Sequence, residues 1–452
     1  MSPTINPWHR SPAETSTALH QLEKRHPPPP LPGNDTWYAA PDNLTSVPPG
    51  GILKWRPAPR PLSLDNVVAI PVKEMYQIQY RTQNAAGTPI ANVLTAIIPE
   101  SPNFNHLFSY IYFSDTPCPN YNPSLEMTLR PCYPMLFTKE QIGPLVEALD
   151  QGWIVAVPDD NGPEASFPSG PTMAYTTLDS MRAMLQSEHI TGLSSNAIIT
   201  LNGYSGGGIS AAWTGELHPV YAPELDIAGI ALGGLVPNFT YLSEFIREGT
   251  GYFAWGPITL VGLSHDYPQL SSWLDENLIP EKAADFWLAE TLSIQGIADK
   301  YTTIPTCSYF TRGCDAWSDE IPSSILYNST TMGIHSTPKA PWYLYETAAD
   351  EVSPINLTRA LYEKYCAQGA TIYYEESQLG LAHATESVVN FPGAFEWMKE
   401  RHAGVPVSPG CKKVDVSIPT LMSGWPISIL EPVIDTLIAE FDGALSPKWT
   451  VI

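Results

Sequence analysis

A short apolar run, Ala197-Ile198-Ile199-Thr200-Leu201, passes within two residues into Gly203-Tyr204-Ser205-Gly206-Gly207, and Gly206 to Leu217 then reads as a helix. A chain reverses that sharply from strand to helix only if the residues flanking the serine are small, because the two elements pass close to one another there. The turn lifts the serine hydroxyl above the sheet and sets it near the positive end of the helix dipole. A glycine-rich loop with an incidental serine would show the same five residues. The preceding strand and following helix make Ser205 a nucleophile candidate, with Gly203, Tyr204, Gly206 and Gly207 forming its elbow.

The rest of the chain supplies a sheet for that turn to stand on. Val67–Ile70, Met75–Tyr80, Ala91–Pro99, Leu107–Phe113, Trp153–Asp159, Trp342–Tyr345 and Thr371–Glu375 read as strands. Helical patterns fall at Glu140–Gln151, Leu178–Gln186, Asn356–Gln368 and Phe391–His402. Such alternation predicts an α/β fold: a mostly parallel sheet with helices on both faces. Between about 239 and 303 the texture changes to aromatic-rich helical segments broken by Gly and Pro, which reads as an inserted cap. Residues 1 to about 50 are polar and Pro-rich and read as an extended arm, and the tail from Gly404 reads as an appendage.

Composition bounds the partners. The 452 residues carry 23 Lys+Arg against 46 Asp+Glu, a formal charge of −23 that repels phosphate backbones and argues against a nucleic-acid partner. Hydrophobic residues at 43% and charged ones at 15% describe a globular chain, and 46 prolines make it loop-rich. No apolar run reaches the ~18 residues of a membrane-spanning helix. The six cysteines, Cys118, Cys132, Cys307, Cys314, Cys366 and Cys411, lack C-x-x-C metal spacing and read as structural disulfides, so no metal site is expected. N-x-S/T sequons stand at Asn34, Asn43, Asn238, Asn328 and Asn356, which agrees with secretion. Met1–Arg25 holds no apolar stretch of signal-peptide type, which keeps an intracellular location open. Lys24-Arg25 before His26-Pro27-Pro28-Pro29-Pro30 reads either as a dibasic processing site or as a solvated tail.

A serine nucleophile needs a base and an acid that orients it, and on this architecture they follow in the order Ser, Asp or Glu, His. Histidines after Ser205 are His218, His265, His335, His383 and His402. His218 sits on the nucleophile's own helix, His265 in the cap, His335 ahead of a strand and His402 at a helix end. His383 occupies the loop between a strand and the last helix, where the base belongs. Asp350, after the Trp342–Tyr345 strand, is the candidate acid, with Glu351 its neighbour and competitor.

The Gly-Tyr-Ser-Gly-Gly elbow, Pro158-Asp159-Asp160-Asn161-Gly162-Pro163, Thr177-Leu178-Asp179-Ser180-Met181-Arg182 and Pro49-Gly50-Gly51-Ile52-Leu53-Lys54 together resemble the fungal secretory lipases, the lipase-A-like triacylglycerol lipases and esterases. The resemblance runs from about Tyr38 to about Gly404. It implies an α/β-hydrolase fold with a helical cap inserted between nucleophile and acid, and a triad of Ser205, Asp350 and His383. It also implies an oxyanion hole formed by Gly206 and Asp115, the latter in Tyr112-Phe113-Ser114-Asp115-Thr116. A carboxylate there donates only through its backbone N–H or while protonated, which would link activity to mildly acidic pH. The resemblance further suggests a Cys366–Cys411 disulfide and a link from Cys118 to Cys307 or Cys314, leaving Cys132 the remaining partner. Two departures stand out: Glu346-Thr347-Ala348-Ala349 precedes Asp350 where family members carry glycine, and six cysteines exceed the family's usual four.

The domain layout expected is an arm at 1–36, a hydrolase domain at 37–405 with its cap at about 239–303, and an appendage at 406–452. The function expected is a secreted serine carboxylic-ester hydrolase acting on acylglycerol-type or other small-molecule or lipid esters, without a cofactor. The alternatives are deacetylation of a fungal secondary metabolite such as a trichothecene, and acyl transfer on the same fold. The sequence does not set the oligomeric state.

Overall fold

The computed structural model describes residues 30–64, 68–128, 138–241 and 252–417. Residues 1–29, with the proposed processing site, and Cys132 lie outside them. Ten strands form the central sheet: β1 Ile52–Pro57, β2 Glu74–Gln83, β3 Pro89–Ile98, β4 Asn103–Ile111, β5 Trp153–Pro158, β6 Ile198–Tyr204, β7 Ile227–Gly233, β8 Trp342–Thr347, β9 Ile372–Ser377 and β10 Cys411–Val416. Their spatial order is β1-β2-β3-β5-β4-β6-β7-β8-β9-β10. The pairings β1–β2, β2–β3 and β3–β5 are antiparallel, and every pairing from β5–β4 to β9–β10 is parallel.

The central parallel strands are apolar on both faces, as strands covered twice must be. Along β5, Ile154 and Ala156 enter one core while Trp153, Val155 and Val157 enter the other. The first core is closed by α2 (Gly170–Leu185), α3 (Gly206–Tyr221) and α9 (Ile355–Ala367), with Trp213, Leu361 and Tyr365 buried. The second is closed by α1 (Thr138–Asp150) and α11 (Phe391–His402), with Phe395 and Met398 against Phe108 and Trp153. Helix α1 gives way to β5 at Gly152, whose φ of 76° is the left-handed turn glycine supplies at helix ends.

Between β7 and β8 lies a helical insertion with α4 Trp255–Asp266, α5 Pro268–Asn277, α6 Pro280–Trp287, α7 Ile294–Tyr301 and α8 Glu320–Thr330. Proline opens α5 and α6, where its missing N–H costs nothing. Trp273, Phe286, Tyr309, Phe310 and Trp317 pack ring against ring inside it. Asp266 ties the insertion to the core by accepting from Ser166 Oγ at 3.0 Å and Thr172 Oγ1 at 2.5 Å.

Several expectations change. The helical insertion continues to Thr330, past the expected end at 303. The stretch expected as an extended arm contains short 3-10 turns at Pro32–Asn34, Thr36–Tyr38 and Leu44–Ser46, and Gln79 Nε2 holds it to β2 by donating to Tyr38 O at 2.9 Å. The tail expected as an appendage contributes β10, whose in-register pairing with β9 completes the sheet; residues 418–452 lie outside the described residues. Cys366 bonds Cys411, as the resemblance suggests, joining α9 to β10. The suggested link from Cys118 to Cys307 or Cys314 does not form, because those two bond each other across seven residues, at a Cα–Cα distance of 4.7 Å. The chain turns back between them at Gly313, with φ of 58°.

Candidate active site

The strand-to-helix turn after β6 is as tight as the sequence demands. Ser205 sits at φ 55°, ψ −125°, a conformation uncommon for a side chain-bearing residue and held by its surroundings. Its N–H donates to Gly233 O of β7 at 3.0 Å, and its carbonyl accepts the first bond of α3, from Ile209 N at 2.8 Å. A Cβ on Gly203 would stand 2.1 Å from Gly207 O, and one on Gly207 would stand 2.5 Å from Ile111 O. Both contacts are with backbone, so neither position has room for a side chain.

Three chain-distant groups then meet in line. His383 Nε2 lies 2.8 Å from Ser205 Oγ, and His383 Nδ1 lies 2.7 Å from Asp350 Oδ2. With Nδ1–H donating to the carboxylate, Nε2 is left to accept the serine proton. Asp350 Oδ1 accepts from Val352 N at 2.9 Å and Ser353 N at 2.8 Å, which fixes its plane. Burial pushes His383 toward the neutral form, but the Asp350 carboxylate beside it prevails and lifts its pKa above the ordinary value.

His383 opens α10 (His383–Val389), and its main chain is gripped at both ends. Glu351 Oε2 accepts from His383 N at 2.9 Å, and Tyr204 donates its hydroxyl to His383 O at 2.8 Å. Glu351, the competitor for the acid position, therefore holds the histidine backbone while Asp350 takes the ring. Neither this grip nor the part of Tyr204 in it was visible in the sequence. Glu346 and Glu386 are buried near Asp350, and burial raises both, Glu386 to about 7.

On the other side of Ser205 stands Asp115, just beyond β4, at φ 47°. Its carboxyl is pressed against Gly206: a Cβ there would be 1.9 Å from Asp115 Oδ1. Burial lifts Asp115 to about 7, against the opposing pull of His383. Its Oδ1 is buried and has no hydrogen-bond partner among the described residues. A buried carboxyl lifted toward neutrality beside the first N–H of a helix can, while protonated, meet negative charge on a neighbouring oxygen. Behind it, Asp159 accepts from Ser124 N and Ser124 Oγ at 2.7 Å each, and burial lifts it too to about 7.

The secretory lipase family profile matches residues 135–410. The chain belongs to the secretory lipase family. It is 32% identical over 426 residues to Lipase A of Arthroderma benhamiae, covering 92% of this chain and 89% of that one. It is also 32% identical over 384 residues to the trichothecene C-3 esterase of Fusarium sporotrichioides, covering 82% and 83% of the two chains. Among solved structures, Candida antarctica lipase A in its closed state superimposes with a TM-score of 0.78 at 22% identity, covering 91% of this chain and 95% of that one. The fold is that of the α/β-hydrolases, and the chain is an ester-hydrolysing enzyme. Among its described residues no helix is long and apolar enough to cross a membrane.

Proposed function

We propose that Ser205, His383 and Asp350 are the catalytic triad and that Gly206 and Asp115 form the oxyanion hole. The observation that carries this reading is the unbroken chain of bonds from Ser205 Oγ through His383 to Asp350, at 2.8 and 2.7 Å. His383 Nε2 takes the serine proton as Oγ bonds the ester carbonyl carbon, and the carbonyl π pair moves onto oxygen. The oxyanion is met by Gly206 N–H at the start of α3 and by Asp115, through its own N–H or its protonated carboxyl. Collapse of this intermediate breaks the bond to the alcohol oxygen, which takes its proton from His383. Water then repeats the sequence on the acyl-enzyme, releasing the acid and restoring Ser205.

The substrate proposed is an acylglycerol-type ester, with the helical insertion as a cap over the acyl side. The esterase relative supports a second reading, in which the same site removes acetyl groups from a bulky metabolite. Hydrolysis of emulsified long-chain triacylglycerol against a soluble acetyl ester separates the two: strong acetyl preference without interfacial activation sinks the lipase reading. The hydrolase chemistry itself is tested by fluorophosphonate labelling, expected in the wild type and lost in Ser205→Ala; a wild type that does not label refutes it.

Secretion is part of the proposal. The family and the two disulfides among the described residues support it. Asn34, Asn43, Asn328 and Asn356 are exposed and open to glycan addition. Asn238 is half-buried, the least exposed of the five, so it is the sequon least fitted for it.

A further inference from the structure

The loop that carries Asp115 is pinned from three directions. Gln141 of α1 takes both backbone groups of Phe113: its Oε1 accepts from N at 2.7 Å and its Nε2 donates to O at 3.0 Å. Asn161 Nδ2 donates to Ser114 Oγ at 3.2 Å. Fully buried Thr116 donates its hydroxyl to Leu292 O at 2.6 Å, while its Oγ1 accepts from Cys118 N at 3.2 Å.

The first two anchors come from helix α1 and from the turn after β5. The third does not. Leu292 belongs to the helical insertion, between the 3-10 turn Leu288–Thr291 and α7. That turn lies at the surface, with Leu288 39% exposed. Asp115, one residue before Thr116, holds a positive φ that its neighbours must enforce.

We propose that Thr116 is a positioning residue that makes the oxyanion site conditional on the placement of the insertion. With the Leu292 carbonyl over Thr116, the Asp115 conformation beside Gly206 is held. Displacement of segment 288–292 releases it. The proposal rests on the oxyanion role given above to Asp115 and Gly206. Thr116 acts through Asp115, so its contribution falls on the transition state and not on substrate binding, which separates it from a residue that only shapes the cap.

The test uses the full chain. Thr116→Val keeps the shape and removes the donor; Thr116→Ser keeps the donor. On a soluble p-nitrophenyl acetate substrate the Val variant is expected to lose about tenfold in kcat, since small misplacements of reacting groups are costly. KM and the thermal midpoint should stay near wild type, and the Ser variant should regain most of the loss. A wild-type kcat in Thr116→Val, a loss carried by KM, or a Ser variant as impaired as Val overturns the proposal.

A second measurement on the unsubstituted protein covers the case of a Val variant that does not fold. Phosphonylation of Ser205 by a small ethyl methylfluorophosphonate puts a phosphoryl oxygen where the oxyanion forms. Coupling is reciprocal, so amide exchange across residues 288–301 should slow. Unchanged exchange there overturns the proposal. A wild type that neither labels nor hydrolyses esters instead defeats the triad reading itself, whereas an active wild type with an indifferent Thr116→Val defeats the coupling alone.

Discussion

Asp115→Asn asks whether a carboxylic acid serves as an oxyanion donor. Burial lifts Asp115 to about 7, so the proton it would donate is lost just above neutrality. If protonated Asp115 is the donor, its active fraction falls tenfold per pH unit beyond that value, to about 1% two units higher. kcat/KM of the wild type should then decline roughly 100-fold on the alkaline side. Asparagine has nearly the same shape and keeps N–H donors at every pH, so the variant should hold a plateau there. The acidic limb belongs to His383, which must be neutral to take the serine proton and whose pKa Asp350 holds above the ordinary value. Asp115 contributes to that elevation, so removing its charge should move the acidic limb slightly to lower pH. Asp115→Ala, which loses the side-chain donor altogether, should cost about 100-fold or more in kcat at its optimum. The assay is kcat/KM on a soluble ester between about pH 5 and 9. An alkaline decline that persists in Asp115→Asn, or a wild type flat to pH 9, refutes protonated Asp115 as the donor and leaves its backbone N–H.

Gly203→Ala sets a Cβ 2.1 Å from Gly207 O, so activity should be abolished and stability reduced by about 2 kcal/mol, read by urea unfolding; a stable, active variant contradicts the packing of the elbow. Removing the Cys366–Cys411 bond by double substitution to Ala frees a loop of 45-residue separation and should cost about 4 kcal/mol, against about 2.5 for the seven-residue Cys307–Cys314 loop; equal thermal midpoints for the two variants would count against the loop-entropy account. Stability should rise as pH falls from about 8.5 to 6, because buried Asp115, Asp159 and Glu386, each lifted to about 7, hold protons in the native chain that the unfolded chain releases well below that. His402 opposes this only below its unfolded value of about 6.5, since burial and then His106 push its native pKa down to about 3; a thermal midpoint higher at 8.5 than at 6 reverses the sign and refutes the assignment.

The tight turn at the proposed nucleophile was legible because its constraint is local: two backbone close approaches forbid side chains at Gly203 and Gly207, and the sequence displays that prohibition. Chain order and a place after strands picked out His383 and Asp350 as candidates, and the two side chains lie 2.7 Å apart. Strands β7 and β10 were not. Ile227-Ala228-Gly229-Ile230-Ala231-Leu232-Gly233 breaks its apolar run with two glycines and two alanines and carries no period, yet it lies buried between β6 and β8. Cys411-Lys412-Lys413-Val414-Asp415-Val416 is an exposed edge strand whose character comes from its neighbour β9 and from the disulfide. The suggested Cys366–Cys411 bond is present, but the link from Cys118 to Cys307 or Cys314 failed for a similar reason: which thiols meet depends on how the insertion folds back at Gly313, a fact of tertiary structure. Gln141, Asn161 and Thr116, the anchors of the loop that carries Asp115, follow no motif at all, since any hydrogen-bonding side chain arriving from the right direction would serve.

The acidic balance of the chain and its buried carboxyls point to the same working conditions for separate reasons. A formal charge of −23 strains the folded surface by self-repulsion, and lowering pH relieves it by protonating exposed carboxylates. In the interior, desolvation holds Asp115, Asp159 and Glu386 near their protonated forms, so the same change relieves them as well. A proposed oxyanion donor that works only while protonated adds a catalytic reason to the structural ones. His383 sets the opposite limit, because Asp350 makes it a stronger base and therefore one that acid silences sooner. Activity is thus expected to be confined between an alkaline edge set by Asp115 and an acid edge set by His383. Substitution at either residue should move its own edge farther than the other.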